Sequence, residues 1–242
     1  YIGIALLHLP VIAAMILTAA VCSILGVLIE KVAYKPLRKA PPLAVLITAI
    51  GMSYFLQSVA LLIFTSTPIP FRSVIDLEAV QVGSVNISGI TIVTLVVTTV
   101  IMVCLTLFIN KTKAGSAMRA VSEDRGAAEL MGINVNRTIS MTFAIGSALA
   151  AVAGILYICQ YQSLRPTLGA LPGIKAFVAA VLRGIGSVPG AMLGGIVLGL
   201  IESMAKAYIS TELADAIVFG VLVVVLLVRP AGLLGKKTLV KV

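Results

Sequence analysis

The chain has 242 residues, of which 60% are hydrophobic and 11% are charged, and its mean hydropathy is +1.15. Soluble domains carry roughly 25% charged residues. A globule of this size could not hide so much apolar surface, because it must still cover itself with polar groups. The composition therefore excludes a soluble enzyme, a nucleic-acid-binding domain and a disordered chain, and it predicts a polytopic membrane protein.

Long runs without a charged residue mark the membrane spans. Four runs reach the roughly 20 residues that a helix needs to cross a bilayer. They cover residues 9–29, 43–65, 89–109 and 139–160. Three shorter apolar segments follow at 174–185, 191–208 and 213–228. Because lipid does not tolerate unpaired backbone groups, the fold class is predicted as an all-α transmembrane bundle with about seven visible spans. The chain begins at Tyr1 inside an apolar segment, so we expect one or more N-terminal spans before it.

The distribution of basic residues fixes the predicted orientation. With seven crossings and residues 30–41 inside, 14 of the 18 Lys and Arg residues lie in inner loops. Lys and Arg collect in cytoplasmic loops, and this explains the net charge of +9 better than nucleic-acid binding does. A re-entrant segment at 174–185 would lower the contrast to 11 against 7. We therefore predict an outer chain start and a cytoplasmic C-terminus.

The inner loop at residues 111–137 carries the signature of a short capped helix. Ser122 fits an N-cap, and Glu123 and Asp124 would occupy the first turn, where the helix dipole favours acids. Gly132 is placed to end the helix in a left-handed cap. Apolar residues recur on one face at helical spacing, namely Met118, Val121, Ala128 and Met131. Such a helix either docks on a partner or rests among lipid headgroups.

A glycine-rich stretch follows the fifth predicted span. Its candidate residues are Gly186, Pro189, Gly190, Gly194 and Gly195. Small residues four apart let helix backbones approach closely, so helix packing is the favoured interpretation. The alternative is an unwound section near a translocation path, with Pro189 at the break.

Charged and catalytic groups are sparse inside the predicted spans. No span carries a charge at its centre, which argues against an ion-coupled transporter. Glu202 and Lys206, four residues apart, are expected to pair near the outer surface. The single histidine, His8, and three scattered cysteines form neither a metal-binding nor a catalytic motif. The chain is therefore predicted not to be an enzyme and to bind no metal.

Several segments along the chain together resemble one family. They are Ile29-Glu-Lys-Val-Ala-Tyr-Lys-Pro-Leu-Arg38, Arg119-Ala-Val-Ser-Glu-Asp124, Leu130-Met-Gly-Ile-Asn134, Gly184-Ile-Gly-Ser-Val-Pro-Gly190 and Pro230-Ala-Gly-Leu-Leu-Gly235. In this order they resemble the membrane permease subunit of bacterial branched-chain amino acid ABC importers. Arg183 departs from the pattern, since a small residue is expected there. The family's first span would precede Tyr1.

The resemblance implies a role for loop 111–137. In such importers this loop looks like the coupling helix, which sits in a groove of the cytoplasmic ATPase subunit. The residues that match the motif are Arg119, Ser122, Glu123, Asp124, Leu130 and Gly132. Residues 1–242 would form a single transmembrane permease domain, and this loop would transmit closure of the ATPase.

The resemblance also implies partners and a location. The expected partners are cytoplasmic ATPase subunits, a second homologous permease, a periplasmic or lipid-anchored substrate-binding protein and membrane lipid, with no nucleic acid. The chain would bind no cofactor, since ATP and Mg²⁺ belong to partner subunits, and it would lie in the bacterial inner membrane. The alternatives are a permease of this family for urea, amides or other amino acids, a secondary transporter or channel, and a membrane scaffold.

Overall fold

The computed structural model describes residues 10–64, 66–71, 80–82, 85–183 and 188–228. Its contacts divide the chain into two units. The first takes its residues from 1–100 and 107–167, and the second from 101–106 and 168–242. The single domain predicted over 1–242 stays a prediction.

The described part of the first unit is mostly helical. Its helices are α1 (Val11–Ile29), α2 (Pro42–Phe64), α3 (Gly89–Lys111, except for residues 101–106), α4 (Lys113–Glu123), α5 (Arg125–Leu130) and α6 (Val135–Tyr161). After α1 the chain continues through a π-helical turn, Glu30–Tyr34, and a 3-10 turn, Pro36–Lys39. Four short strands complete the unit: β1 (Ile69–Pro70), β2 (Val80–Val82), β3 (Val85–Ile87) and β4 (Ser163–Leu164).

The second unit contains α7 (Ala170–Arg183), α8 (Val188–Tyr208) and α9 (Ala214–Val228). Val178 and Val218 are almost completely buried, and they pack with Ala179 and Leu198 into a small core. Each helix thus contributes to one apolar contact, which holds the three together.

Five of these helices are long and apolar enough to cross a membrane. They are α1 with its π-helical extension, α2, α3, α6 and α8. The other two predicted spans correspond to α7, with 14 residues, and α9, with 15. At a rise of 1.5 Å per residue α7 is about 21 Å long, less than the roughly 30 Å of a bilayer core. The structure supports five crossings, and crossing by α7 and α9 stays a prediction.

Helices α1 and α6 pack closely in the first unit. The Ser23 hydroxyl on α1 donates a hydrogen bond to the carbonyl oxygen of Ala144 on α6, at 3.2 Å. One turn further, Gly26 lies so near Ser147 that a Cβ at Gly26 would overlap the serine side chain. A small residue on α1 therefore lets the two backbones approach, as in other membrane helix pairs.

In the first unit, loops that were predicted to lie on the same side of the membrane contact each other. Strand β1 pairs antiparallel with β4, which joins the two predicted outer loops. At the other end, the Arg38 guanidinium donates to the Asn136 side chain, which joins the two predicted inner loops. Both contacts agree with the alternation of loops in the predicted topology.

Candidate functional site

Loop 111–137 forms two helices where the sequence predicted one. The predicted N-cap, Ser122, lies in the last turn of α4, and its hydroxyl donates to the Arg119 carbonyl at 2.7 Å. Asp124 is the actual N-cap of α5. Its carboxylate accepts from the backbone N–H groups of Gly126, at 2.8 Å, and Ala127, at 3.1 Å. A carboxylate that accepts two backbone bonds makes a strong cap, so the second helix begins two residues later than expected.

Both flanks of this helical hairpin, defined as α4 and α5, are capped as well. Thr112 starts α4 by accepting a hydrogen bond from the backbone N–H of Gly115, at 3.0 Å. Gly132 ends α5 with a φ of 82°, in the left-handed region, where the sequence places a cap. Asn134 then caps α6 by accepting from the N–H of Arg137, at 3.0 Å. The hairpin therefore has a well-defined backbone at each end.

One face of the hairpin is buried in the first unit. Val121 is 7% exposed and Ala128 is 3% exposed. Gly115 lies against the backbone of Ile109, where a Cβ would clash. Helices α4 and α5 both contact α6, so the hairpin is fixed on the bundle.

The opposite face exposes two large apolar side chains. Leu130 is 90% exposed and Met131 is 83% exposed. Helical spacing placed Met131 on one face with Val121, but the chain forms two helices here, and Val121 is buried whereas Met131 is exposed. Glu123 and Asp124, which lie between α4 and α5 or at their ends, are exposed as well.

The matched coupling residues therefore divide by their contacts. Glu123 and Leu130 point away from the fold, whereas Ser122, Asp124 and Gly132 shape the backbone. The Arg119 guanidinium donates to the side chains of Asn110, at 3.3 Å, and Ser116, at 3.4 Å. All six residues are exposed, so each of them is accessible to a partner.

A polar cluster around the buried Glu30 lies beside the start of α6, and the sequence interpretation missed it. Glu30 has no exposed side-chain surface, and its carboxylate accepts a hydrogen bond from Ser140 at 2.7 Å. Arg38 pairs with the same carboxylate and donates to Asn136. The sequence signal was a glutamate that ends an apolar span and is followed by a basic loop. Residues 30–41 were predicted to form an inner loop in contact with water, so the burial of Glu30 was not predicted.

A second ionic cluster joins the three helices of the other unit. Lys175 of α7 lies 2.9 Å from Glu202 of α8 and 2.6 Å from Asp215 of α9. Lys206 pairs with Glu202 at 2.6 Å, as the spacing predicts. The start of α7, the end of α8 and the start of α9 are therefore on one side of this unit. Lys175 and Asp215 had not been predicted to take part.

The glycine-rich candidates have different surroundings. Gly186 lies outside the described residues. Pro189 is in the first turn of α8, where a missing N–H is tolerated, and Gly190 is buried. Gly194 faces the Ala179 carbonyl of α7 with no room for a Cβ, whereas a Cβ at Gly195 would meet no described atom within 4 Å. The packing interpretation therefore describes Gly194 and does not describe Gly195.

Five long apolar helices in the described part of the chain define the class as a multi-pass helical membrane protein. The sequence comparison makes this assignment more specific. The profile of the family described as branched-chain amino acid transport system / permease component matches residues 2–226. The chain belongs to this family, as the motifs predicted.

Relatives within the family are similar over almost the whole chain. The sequence is 44% identical over 245 residues to the high-affinity branched-chain amino acid transport system permease protein LivH of Salmonella typhimurium, covering 99% of this chain and 79% of LivH. It is 44% identical over 244 residues to BraD of Pseudomonas aeruginosa, which bears the same description, covering 99% and 80%. The fructose import permease FrcC of Rhizobium meliloti is 33% identical over 112 residues, covering 43% and 31%. No solved structure matches.

Proposed function

We propose that this chain is the transmembrane subunit of an ABC importer for branched-chain amino acids. It would form the pathway across the inner membrane with a homologous permease, and its C-terminus would lie in the cytoplasm. The proposal is supported by family membership and by the identity of 44% to LivH and BraD. The chain itself would be non-catalytic and would bind no cofactor, since ATP and Mg²⁺ would be bound by separate cytoplasmic subunits.

The exposed apolar tip of the helical hairpin is the single observation that carries the proposed coupling role. Leu130 and Met131 are 90% and 83% exposed on a short helix whose backbone is fixed by caps. Apolar side chains of this kind gain free energy when a partner buries them. The predicted topology places them in the cytoplasm, so the partner is the ATPase subunit.

The remaining partners follow from the direction of transport. An importer that takes up amino acids from a dilute medium needs an outer binding protein, which would be periplasmic or lipid-anchored. Partial similarity to a fructose import permease, over 43% of this chain, favours a different small solute as the second candidate substrate. A substrate panel with leucine, isoleucine, valine, urea and fructose separates these candidates.

The coupling proposal is tested with Leu130→Ala in the assembled importer. Truncating an exposed anchor removes its contact with the partner but leaves the fold of the permease intact. We expect less ATPase subunit to co-purify and ATP-dependent uptake of leucine to fall by roughly tenfold, the effect of losing about 1.4 kcal/mol of binding. Membrane insertion should be unchanged.

Leu62→Ala is the matched control. Leu62 is 86% exposed, close to the value for Leu130, but it lies on α2 away from the hairpin. This variant should retain co-purification and uptake. Equal losses in the two variants, or normal coupling in Leu130→Ala, would remove the proposed role of the tip. Leucine uptake that follows an ion gradient without any ATPase would replace the importer with a secondary transporter.

A further inference from the structure

One face of α1 carries exposed apolar side chains and ends in two lysines. Ile24 is 69% exposed and Leu28 is 54% exposed. Lys31 and Lys35 follow at the next turns and are exposed as well. These positions are separated by four, three and four residues, the spacing that keeps side chains on one side of a helix. We call these four residues the α1 stripe, which is apolar along the span and cationic at its predicted inner end.

The π-helical turn after α1 keeps the two lysines one turn apart. The backbone N–H of Lys35 donates to the carbonyl oxygen of Glu30 at 2.8 Å, which closes this wider turn. In the part of the chain that the structure describes, neither Lys31 nor Lys35 forms an ion pair or a side-chain hydrogen bond. Their ammonium groups, with three donors each, are therefore accessible to an anionic ligand.

The one acid of this segment does not cancel the charge of the lysines. Glu30 is the single Asp or Glu in the sequence of residues 24–41. Its side chain has no exposed surface, and its carboxylate pairs with Arg38. Arg38 also donates to Asn136, and the next residue, Arg137, is a further exposed cation. The inner end of α1 therefore presents positive charge that no neighbouring acid in this segment neutralises.

We infer that the α1 stripe binds an anionic phospholipid of the inner leaflet. Lys31 and Lys35 would donate to its phosphate, and an acyl chain would lie along Leu28 and Ile24. Basic residues immediately cytoplasmic of a membrane helix attract anionic headgroups. From Lys31 to Ile24 the stripe extends about 10 Å, which fits within the roughly 15 Å of hydrocarbon in one leaflet.

The apolar half of the stripe favours a lipid over a protein partner. An acidic surface of the ATPase subunit would match the two lysines, but it would lie in water and could not reach Leu28 and Ile24 within the span. A phospholipid carries phosphate and hydrocarbon in the order that the stripe requires. The inference needs the predicted inner position of residues 30–41, and it does not depend on which solute is imported.

A photoreactive lipid tests the site directly. The probe is phosphatidylglycerol with a diazirine on one acyl chain, added below saturation to nanodiscs that contain the assembled importer. After irradiation and chymotryptic cleavage, mass spectrometry maps the modified residues. We expect modification at Ile24 and Leu28, roughly tenfold above that by phosphatidylcholine with the same diazirine, because the neutral headgroup offers the lysines no net charge. Equal modification by the two lipids, or none on α1, would overturn the inference.

Removing the lysine charges should abolish this preference. Lys31→Gln with Lys35→Gln should lower modification by phosphatidylglycerol roughly 10- to 30-fold, since each lysine near an anionic surface contributes about fivefold in affinity. Lys31→Arg with Lys35→Arg keeps both charges and the orientation that they favour, so it should keep the modification. An inserted arginine variant that loses modification would contradict recognition by charge. The comparison of the two lipids on the wild type needs no variant, so it decides even if the glutamine variant fails to insert.

Lys113→Gln with Arg125→Gln is the matched control. Both residues are exposed on the helical hairpin, on the predicted inner side, and they carry the same total charge outside the α1 stripe. This variant should keep the modification of α1. An equal loss would show that overall positive charge attracts the lipid, and it would overturn the site.

Two further readouts separate this inference from its alternatives. If the glutamine variant keeps the modification but releases the ATPase subunit, the lysines contact that subunit and the inference fails. If the importer takes up leucine with ATP but shows no lipid preference on α1, the proposed function stands and the lipid site is wrong. If α1 is modified selectively in a protein that takes up no leucine, the lipid site stands and the proposed function is wrong.

Discussion

The carboxylate of Glu30, at the end of the α1 span, accepts a hydrogen bond of 2.7 Å from the hydroxyl of Ser140 in α6. The same carboxylate pairs with Arg38, which also contacts Asn136 near the start of α6. Glu30 therefore joins the end of the α1 span to α6, the helix on which α4 and α5 also rest. Moving α1 relative to α6 would therefore break the contacts of the buried Glu30 carboxylate.

Glu30→Ala should destabilise the protein by about 3 kcal/mol. Removing one member of a buried ion pair leaves the other charge without its partner, and this loss is larger than the net worth of the pair. Arg38 retains 19% side-chain exposure, so solvent offsets part of the loss. The measurement is the unfolding temperature of the detergent-solubilised protein. Unfolding is detected as the loss of the monodisperse peak in size-exclusion chromatography.

A double-mutant cycle supplies the control for this prediction. Arg38→Ala with Glu30→Ala should cost less than the sum of the two single changes, by roughly 1–3 kcal/mol. Glu212→Gln, at an exposed glutamate, should be neutral. Additive effects would show that Glu30 and Arg38 do not stabilise each other.

The Asp124 side chain caps α5, and we predict that removing this cap destabilises α5. Asp124→Ala removes the acceptor of two backbone N–H groups and should cost α5 about 1 kcal/mol. We expect faster amide hydrogen exchange in α5 and weaker coupling between ATP hydrolysis and uptake. The hairpin should fray while the long helices keep their protection.

Asp124→Asn distinguishes the cap from a charged contact. Asparagine caps helices about as well as aspartate, so this variant should keep the exchange protection of α5 and normal coupling. Lost coupling with normal protection would mean that the ATPase subunit recognises the negative charge. The prediction that Asp124 acts through its own backbone would then be wrong.

The sequence predicted the long helices well because their signal is composition alone. A charge-free run of 20 or more residues has few structures available in lipid, and the spans at 43–65 and 89–109 fall within two residues of α2 and α3 at each end. The short segments at 174–185 and 213–228 are harder, because their length fits either a crossing helix or a buried one. Their neighbours are set by packing between the helices of the second unit, and the hydrophobic pattern of the sequence does not reveal that packing.

The functional segment was predicted only in part for a different reason. Loop 111–137 was identified as helical, but Ser122 and Asp124 are both good caps, and spacing alone could not rank them. The buried Glu30 was missed because its partners, Arg38 and Ser140, are 8 and 110 residues away. Long-range pairing of a charge leaves no periodic pattern in one sequence.

Two adjacent glycines provide a matched pair for the packing of α7 and α8. Gly194→Ala places a Cβ against the Ala179 carbonyl, so the helices must separate, and we expect a loss of about 1–3 kcal/mol. Gly195→Ala meets no described neighbour within 4 Å and should be neutral or gain up to about 1 kcal/mol from helix propensity. Unfolding temperatures of the two variants in one detergent test this difference. Equal values would contradict the close approach at Gly194.

The ionic cluster of the second unit predicts a loss on Lys175→Met. Lys175 is the group that reaches both Glu202, at 2.9 Å, and Asp215, at 2.6 Å, so it ties α7 to α8 and α9. Glu202 keeps its bond to Lys206, whereas Asp215 loses the ion pair to Lys175. Side-chain exposures of 20–40% place the effect between a surface pair and a buried pair, at about 1–2 kcal/mol.

Removing the charge of Asp215 as well should reverse the loss of stability caused by Lys175→Met. Lys175→Met combined with Asp215→Asn takes away the carboxylate that the single change leaves without its lysine, so stability should recover to within about 0.5 kcal/mol of the wild type. Asp215→Asn alone should cost less than Lys175→Met, because Lys175 still has Glu202. Unfolding temperatures at low and high salt provide the measurement, and the loss in Lys175→Met should shrink at high salt. A double variant that is less stable than either single variant would show that the lysine stem holds the helices by packing, and that its charge does not.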